Sequence, residues 1–392
     1  MSDPARPVFL TSLAETATLC ARCGYCNAVC CTHRELGWES MSPRGWLTMA
    51  RELSVNPDGP FPEEFVAQVF NCTLCAKCAQ VCPVHLDLRG LWLELRESIV
   101  RRGQGPAFTK HLREVEAREH NVFDLPNEER AEWVWFMPDT PDDGYLREQA
   151  EVLYYVGCVS SFSPAAQEIP KAMVKILEAA GVDFAILGGD EWCCGFPLLA
   201  AGQRQEAQAF IAHNIEALHQ LGVRTVVFNC PSCYHIWQHD YNLEGIELLH
   251  ATQFIARLVE EGRLRLGPLP TRVTYHDPCD LGRNSGVYEE PRQVLEAIPE
   301  LAFVEMLHNW AEAPCCGGGG DFEMLQPELS EAIAARLVQE AELTGAERLI
   351  VACPQCKRIE LSGVEVLGST MRVIDIVELV HEAVTSHQGQ SQ

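Results

Sequence analysis

The stretch TVVFNCPSC at residues 225–233 recurs as RLIVACPQC at residues 348–356. Each copy joins a short apolar run, typical of a buried strand, to a C-P-x-C motif. Upstream of each copy lie a single cysteine and a Cys-Cys-Gly triplet: Cys158 with 193–195, and Cys279 with 315–317. The gaps between these elements are 34 and 35 residues in the first copy, and 35 and 36 in the second. The sequence therefore contains a duplicated unit with matching cysteines.

The duplicated unit predicts strands that alternate with helices. Strand-like runs at Val152–Val156 and Arg272–Tyr275 precede the first cysteines, and amphipathic helices such as Glu206–Gln220 and Leu329–Leu343 fill the gaps. This alternation predicts parallel βαβ units, in which sites form at the carboxyl ends of the strands. Two sets of five thiols should converge there: Cys158, Cys193, Cys194, Cys230 and Cys233; Cys279, Cys315, Cys316, Cys353 and Cys356.

The N-terminal third carries two runs of the form C-x2-C-x2-C-x3-C. This is the spacing of bacterial ferredoxins, in which the fourth cysteine of each run ligates the other [4Fe-4S] cluster. The spacing predicts two ligand sets: Cys20, Cys23, Cys26 and Cys82; Cys72, Cys75, Cys78 and Cys30. Zinc and a disulfide framework are the weaker alternatives, because disulfides concentrate in small secreted chains with poor cores.

Of the 19 cysteines, Cys31 alone lies outside these groups. It follows Cys30, where proline usually follows the last cysteine of such a run, as Pro83 does after Cys82. We expect Cys31 to be either a small buried residue or an alternative ligand.

These features predict an α+β multidomain protein. A helical two-cluster ferredoxin module spans residues 1–102, with helices at Pro43–Leu53, Pro62–Phe70 and Leu88–Arg102. Residues 103–150 form a linker rich in charge, Pro and Asp, with a helix at Thr109–His120 and a boundary near Gly144. Two pseudo-symmetric α/β domains with parallel sheets follow at 151–268 and 269–392. In the linker, Trp133, Trp135 and Phe136 are either anchors to a neighbouring domain or part of an electron path.

The composition of the chain limits the kinds of partner that it is expected to bind. The 392 residues are 47% hydrophobic and carry a net charge of −25, which disfavours binding to nucleic acid and to anionic membranes. No run of 18 apolar residues is present, so no transmembrane segment is expected. The N-terminal MSDPARPVFL lacks the features of a signal peptide, which predicts a cytoplasmic chain. A chain of this kind could also associate peripherally with a membrane redox complex.

The paired C-x(30s)-C-C-G-x(30s)-C-x-x-C pattern resembles the cysteine-rich CCG domain of the heterodisulfide reductase family. Behind a two-cluster ferredoxin, it is similar to the D subunit of these enzymes, and to the iron–sulfur subunits of glycolate oxidase and anaerobic glycerol-3-phosphate dehydrogenase. Ser42–Gly45 resembles the glycolate oxidase subunit in particular. The resemblance implies two cubane [4Fe-4S] clusters and two further, non-cubane [4Fe-4S] clusters, each held by five cysteines. One conventional cluster per motif, or a single occupied motif, is the alternative.

Candidate catalytic residues lie within or beside the cysteine motifs. Cys194 and Cys316 belong to adjacent-cysteine pairs, which can both bind only a metal assembly that presents more than one iron. His276 and His235 could deliver protons to a leaving thiolate, or could have a structural role. Lys357 and Arg283 are expected to be solvated. The glycine run 317–320 lacks the lysine of a phosphate loop.

The resemblance implies an oxidoreductase. One hypothesis is an iron–sulfur subunit of a heterodisulfide reductase-like complex, in which electrons pass through the cubanes to the CCG clusters, where a disulfide or similar two-electron substrate reacts. The alternative is a relay between a flavoprotein dehydrogenase (acting on a hydroxy acid, glycerol phosphate or acyl-CoA) and quinone or ferredoxin, or a component of an electron-bifurcating acyl-CoA reductase. Since no G-x-G-x-x-G motif is present, flavoprotein or other redox subunits are expected partners.

Overall fold

The computed structural model describes residue 13 and residues 15–53 and 59–390. The N-terminal stretch that we examined for a targeting signal lies outside these residues. The described residues of the N-terminal module are mainly helical, as predicted. Its helices are Tyr25–Val29, Cys31–Leu36, Pro43–Leu53, Glu63–Phe70, Lys77–Gln80 and Leu88–Arg101, with a 3₁₀ turn at Glu39–Met41.

Residues 103–150 are more closely packed than the predicted linker. They contain the helix Ala107–Glu119 and the 3₁₀ segment Asn127–Phe136. Trp133 is 1% exposed and anchors this segment in the core of the first repeat, whereas Trp135 and Phe136 are 60% and 77% exposed. The prediction of an anchor therefore holds for Trp133 but not for its two neighbours.

The two repeats contain the predicted parallel sheets. In the first, strands β1 Val152–Tyr155, β2 Phe184–Ala185, β3 Thr225–Phe228 and β4 Glu247–His250 are arranged in the order β2-β1-β3-β4. In the second, β5 Arg272–Tyr275, β6 Ala302–Phe303, β7 Arg348–Val351 and β8 Arg372–Asp375 follow the matching order β6-β5-β7-β8. Neighbouring strands in both sheets run parallel. The carboxyl ends of each sheet therefore meet at one edge.

Helices cover both sheets. Those of the first repeat are Cys158–Phe162, Glu168–Ala179, Phe196–Ala200, Arg204–Leu221, Pro231–Asp240 and Ala251–Glu260, with a 3₁₀ turn at Gly188–Asp190. Those of the second are Glu289–Glu296, Phe322–Leu325, Pro327–Glu342, Pro354–Leu367 and Ile376–Gln390, with a 3₁₀ turn at Trp310–Glu312. In the part of the chain that the structure describes, no helix combines the length and apolarity needed to cross a bilayer.

The two repeats pack against each other reciprocally. The longest helix between the first two strands of each repeat contacts the last helix of the other repeat. Thus Glu168–Ala179 packs on Ile376–Gln390, and Glu289–Glu296 packs on Ala251–Glu260. The core of the first repeat accordingly continues into the second through Ile376, Val377 and Val380.

Arg96 joins the N-terminal module to both repeats. Its side chain is fully buried and donates hydrogen bonds of 2.7–3.2 Å to five backbone carbonyls. Three of these belong to the N-terminal module, one to the first repeat and one to the second: Val69, Phe70 and Cys72; Ala200; Gly320. A buried guanidinium is tolerated because its donors are satisfied.

The glycine run of the second repeat lies against the same loop of the N-terminal module. A Cβ on Gly319 would lie 2.8 Å from the carbonyl oxygen of Thr73, and one on Gly320 would lie 2.7 Å from that of Cys72. Real Cβ atoms do not approach so closely, so only glycine permits this contact. The glycine run therefore allows close backbone contact between the two modules. This contact accounts for the glycines without a phosphate loop.

We expect Arg96→Met to destabilise the chain strongly, because each buried carbonyl left without a donor costs about 1–3 kcal/mol. Since several acceptors are affected, a loss of at least about 3 kcal/mol should appear as a lower melting temperature in thermal unfolding. Arg101→Met is the matched control, because the Arg101 side chain on the same helix is 58% exposed. Equal melting temperatures for the two variants would contradict the role given to Arg96.

A second prediction concerns Asp321, which follows the glycine run. Burial raises the pKa of Asp321 from 3.8 to about 7, although Arg96 opposes the shift. Because the native pKa is raised, the protonated Asp321 carboxyl contributes its full stability below about pH 4. This contribution is lost as the pH rises through about 7. Asn tolerates the left-handed conformation found here, φ 58°. Asp321→Asn should therefore gain melting temperature over the unsubstituted chain at pH 8 but not at pH 4. The exposed Asp142→Asn is the control, and parallel pH profiles would refute the prediction.

Candidate metal centres

The two N-terminal cysteine runs share one loop conformation. Arg22 and Leu74, each two residues after the first cysteine, both have φ 55°. Their backbone N–H groups donate to the Sγ atoms of Cys20 and Cys72, at 3.4 Å in each case. Positive φ in non-glycine residues is strained and clusters at functional sites. These loops therefore direct backbone donors at sulfur, as expected where thiolates carry negative charge.

The first predicted ligand set surrounds a common cavity. Cys20, Cys23, Cys26 and Cys82 all line it, together with Leu47 and Leu88. The fourth cysteine of the second run thus lies beside the first three of the other run. Four thiols that line one cavity fit a thiolate-ligated iron–sulfur group.

The cysteines of the second predicted ligand set also lie close together. Cys78 interacts electrostatically with Cys72, Cys75 and Cys30, so the last cysteine of the first run lies among the first three of the second. Burial raises the pKa of Cys72 to about 12, because the thiolate has little access to water. Buried thiols in such a group would become thiolates only with a cation to compensate their charge, which also fits bound iron.

All five cysteines of the first repeat come together beyond the carboxyl ends of β1 and β3. Their thiols influence one another electrostatically in a continuous series: Cys158 with Cys193, Cys193 with Cys194, Cys194 with Cys233, and Cys233 with Cys230. Soft thiolate ligands in this arrangement suit iron–sulfur chemistry.

Sequence reasoning missed three charged residues around this first set. Arg130 is fully buried; it pairs with Glu191 at 2.9 Å and donates to Cys158 Sγ at 3.5 Å. Glu191 in turn accepts from the backbone of the β1 loop at Val156 and Gly157. Glu116, also fully buried, contacts the side chain of Cys193, and burial raises the pKa of its carboxyl well above the usual range. Arg130 belongs to the charged stretch NEER at residues 127–130, and nothing in that sequence indicated that its side chain is buried.

The cysteines of the second repeat form a corresponding set beyond β5 and β7. Cys279 contacts Cys315, which contacts Cys316, and Cys316 Sγ lies 3.3 Å from Cys356 Sγ. The N–H groups of Gly317, Gly318 and Cys356 donate to the sulfurs of Cys315, Cys316 and Cys353 at 3.4–3.5 Å. The predicted ligands therefore lie in two pockets, one for each repeat.

The pockets of the two repeats approach each other at the C-P-x-C motifs. Cys353 interacts electrostatically with Cys230, its counterpart in the first repeat. At this seam Arg89 of the N-terminal module pairs with Asp280 at 3.2 Å, and Ser232 also donates to Asp280. All three modules thus contribute polar groups beside the facing cysteines.

The two candidate histidines are both engaged by other residues. Nδ1 of His276 lies 2.7 Å from Glu360 and Nε2 lies 3.1 Å from the Pro314 carbonyl, and the side chain is 1% exposed. Burial would lower the pKa of His276, but Glu360 outweighs it and raises the pKa above its usual value. At His235, Arg89 lies 2.6 Å from Nε2; burial and then this arginine lower the pKa to about 4. His235 is therefore neutral at pH 7.

Two side chains were expected to be solvated, but Lys357 is buried and Arg283 is partly buried, so that prediction was wrong. Lys357 is 5% exposed and pairs with Glu378 at 2.8 Å. Arg283 donates to the carbonyls of Cys75, Ala311 and Ala313. Both are held by partners within the protein, which the sequence pattern alone did not reveal.

Finally, cysteine side chains of the N-terminal module lie next to a cysteine of the second repeat. The Sγ atoms of Cys31, Cys75 and Cys315 all lie within 4.8 Å of one another. Cys75 belongs to the second N-terminal set, and Cys315 to the set of the second repeat. Cys31 therefore lies between two predicted ligand sets.

The comparisons with known proteins identify the domains that carry these cysteines. The cysteine-rich CCG domain matches residues 152–236 and 273–359, and the 4Fe-4S dicluster domain matches residues 16–86. Fold and site together define an iron–sulfur oxidoreductase of the CCG class.

The chain is 34% identical to the D subunit of dihydromethanophenazine:CoB–CoM heterodisulfide reductase from Methanosarcina barkeri, over 93% of each chain. It is 29% identical to the EtfAB:quinone oxidoreductase of Syntrophomonas wolfei, over 86% of this chain and 50% of that protein. It is also 29% identical to the B subunit of the CoM/CoB fumarate reductase from Methanothermobacter marburgensis, over 80% and 61%. This chain belongs to the family of heterodisulfide reductase D subunits.

The crossed ligand sets of the N-terminal module can be tested by substitution. Cys82→Ser should remove the iron–sulfur signal of the group held by Cys20, Cys23 and Cys26, and Cys30→Ser that of the other group. Iron content should fall by about four atoms in each variant. Electron paramagnetic resonance of the reduced protein should then retain a different signal in each. Loss of the same signal in both variants would refute the crossed assignment.

Proposed function

We propose that this chain is the iron–sulfur subunit of a heterodisulfide reductase-like complex. Two cubane [4Fe-4S] clusters in the module at residues 1–102 exchange electrons with two further [4Fe-4S] clusters, of the non-cubane type, in the domains at 151–268 and 269–392. The segment 103–150 supplies Glu116 and Arg130 to the first of these domains. A disulfide or a similar two-electron substrate reacts between the two repeats.

The contact of Cys75 with Cys315 is the observation that carries this proposal. Their Sγ atoms lie within 4.8 Å, although one belongs to the ferredoxin-like module and the other to the second repeat. Short paths through sulfur favour electron transfer between the groups that these residues would hold. The glycine run and Arg96 hold the two backbones together at this point. Electrons therefore enter the second repeat before the first.

The seam between the repeats supports a two-electron site. Cys230 and Cys353 face each other there, and Arg89 and Asp280 provide charged groups beside them. Iron bound at both repeats would supply one-electron chemistry and an open position for a substrate sulfur. Cys194 and Cys316 are the proposed reactive positions, since each belongs to an adjacent pair that only a multi-iron group can use fully.

Proton delivery by His276 and His235 stays a prediction, and the contacts favour the structural alternative. His276 is sealed between Glu360 and the Pro314 carbonyl. A neutral His235 that accepts from Arg89 has no proton on Nε2 to give. Both residues therefore orient the loops beside Cys279 and Cys233.

A relay function is the second candidate, and the name of one relative favours it. That relative is an EtfAB:quinone oxidoreductase. In that case a flavoprotein partner would reduce this chain, and a quinone-linked protein or ferredoxin would accept the electrons. Docking to either partner would be peripheral to any membrane.

The two functions differ in their response to thiols. If the chain reduces disulfides, a small thiol added to the oxidised protein should change the paramagnetic signal of the CCG sites. If it is a relay, thiols and disulfides should leave that signal unchanged, and a co-purifying flavoprotein should reduce it. Iron and sulfide analysis after anaerobic purification should give about 16 irons for four four-iron clusters. A zinc-containing, iron-free protein would overturn both functions.

We expect Cys194→Ser and Cys316→Ser each to abolish disulfide reduction with a reduced viologen dye as donor, because oxygen is a poorer ligand for iron than thiolate sulfur. The signals of the N-terminal module should persist in both variants. Ser160→Ala, a buried residue of the first repeat, is the control and should retain activity. Retained turnover in either cysteine variant would refute the role given to the adjacent pairs.

A further inference from the structure

Cys31 stands outside both cysteine patterns, yet the structure places it at the junction of two predicted ligand sets. Its Sγ lies within 4.8 Å of both Cys75 Sγ and Cys315 Sγ. Cys31 opens the helix Cys31–Leu36 in the N-terminal module, whereas Cys315 belongs to the second repeat. A third sulfur is thus held between the two sulfurs that would carry electrons from one module to the other.

Hydrogen-bond donors converge on the same junction. The Thr73 hydroxyl lies 3.7 Å from Cys31 Sγ; it accepts from the Cys315 thiol at 3.4 Å and can donate to that sulfur once it is a thiolate. The Gly317 N–H donates to Cys315 Sγ at 3.4 Å. The Arg283 guanidinium interacts with Cys75 and Cys315, and its Nη2 is buried without a hydrogen-bond partner among the described residues. The junction is therefore built to stabilise negative charge on sulfur.

The first repeat has different surroundings at the corresponding cysteine. Cys193, which occupies the position of Cys315, is approached by the buried carboxyl of Glu116. A carboxyl group beside Cys193 and a cluster of donors beside Cys315 give the two sulfurs different surroundings. The two CCG sites are therefore unequal in their surroundings, although their cysteine sets match.

We propose that Cys31 is a positioning residue that donates its S–H to the sulfur of Cys315, and so raises the reduction potential at the second repeat. This inference rests on the proposed function. When Cys75 and Cys315 hold iron as thiolates they can only accept hydrogen bonds, so Cys31 is the one thiol of the three that can donate. Hydrogen bonds to the sulfurs of an iron–sulfur site stabilise its reduced, more negative state. The donor therefore makes the second repeat the better electron acceptor.

The test uses the full chain, purified anaerobically with its iron, as Cys31→Ala and Cys31→Ser. Iron content and a redox titration followed by electron paramagnetic resonance are the readouts. Cys31→Ala should keep its iron and should shift the midpoint potential of the second CCG site to lower values. Cys31→Ser should show a smaller shift, because the hydroxyl keeps a donor at this position. Ser98→Ala, a buried residue of the same module, is the control and should move no potential.

Two results would overturn the proposal. Loss of about four irons in Cys31→Ala and Cys31→Ser would make Cys31 a ligand instead of a donor. Unchanged potentials in both variants would show that its thiol has no electronic effect. Failure of the proposed function looks different, because the unsubstituted chain would then either lack the iron–sulfur signals or keep the signal of its CCG sites unchanged when a small thiol is added.

Discussion

A single buried guanidinium fixes where the cysteine sites lie relative to one another. Arg96 donates to backbone carbonyls of the N-terminal module, the first repeat and the second repeat. Two of those carbonyls belong to Cys72 and Gly320, which flank the junction of Cys75 with Cys315. Since backbone acceptors do not depend on side-chain rotamers, this set of bonds holds the two modules at one fixed spacing. Electron transfer depends steeply on such spacing.

The two repeats have one topology but unequal surroundings. The second has four glycines where the first has Gly195 followed by Phe196. The glycines admit the loop of the N-terminal module, whereas Phe196 begins a short helix that packs on Arg89. The first repeat instead receives Glu116 and Arg130 from the intervening segment. The two copies of one fold therefore contact the N-terminal module differently, the second through its glycine run and the first through Ala200 and Phe196.

The sequence was sufficient for features that depend on local spacing. The strands at Val152–Tyr155 and Thr225–Phe228 follow from short apolar runs, and the grouping of cysteines follows from the parallel order of the strands that precede them. Contacts between distant segments were not predictable in this way. Arg96 and Lys357 are buried and Arg283 is partly buried against segments that are distant in sequence, whereas a charged residue in a single sequence is expected at the surface. The glycine run was the one available signal of close backbone contact, and it does not say which segment approaches.

Passage of electrons from the N-terminal module into the second repeat is the step on which the proposed function depends. The most direct measurement is an anomalous difference map, collected at the iron absorption edge from crystals of the anaerobically purified chain. We expect iron at both repeats, with the iron beside Cys75 closer to the iron of the second repeat than to that of the first. Iron of the N-terminal module nearer to the first repeat, or no iron beside Cys315, would contradict this route.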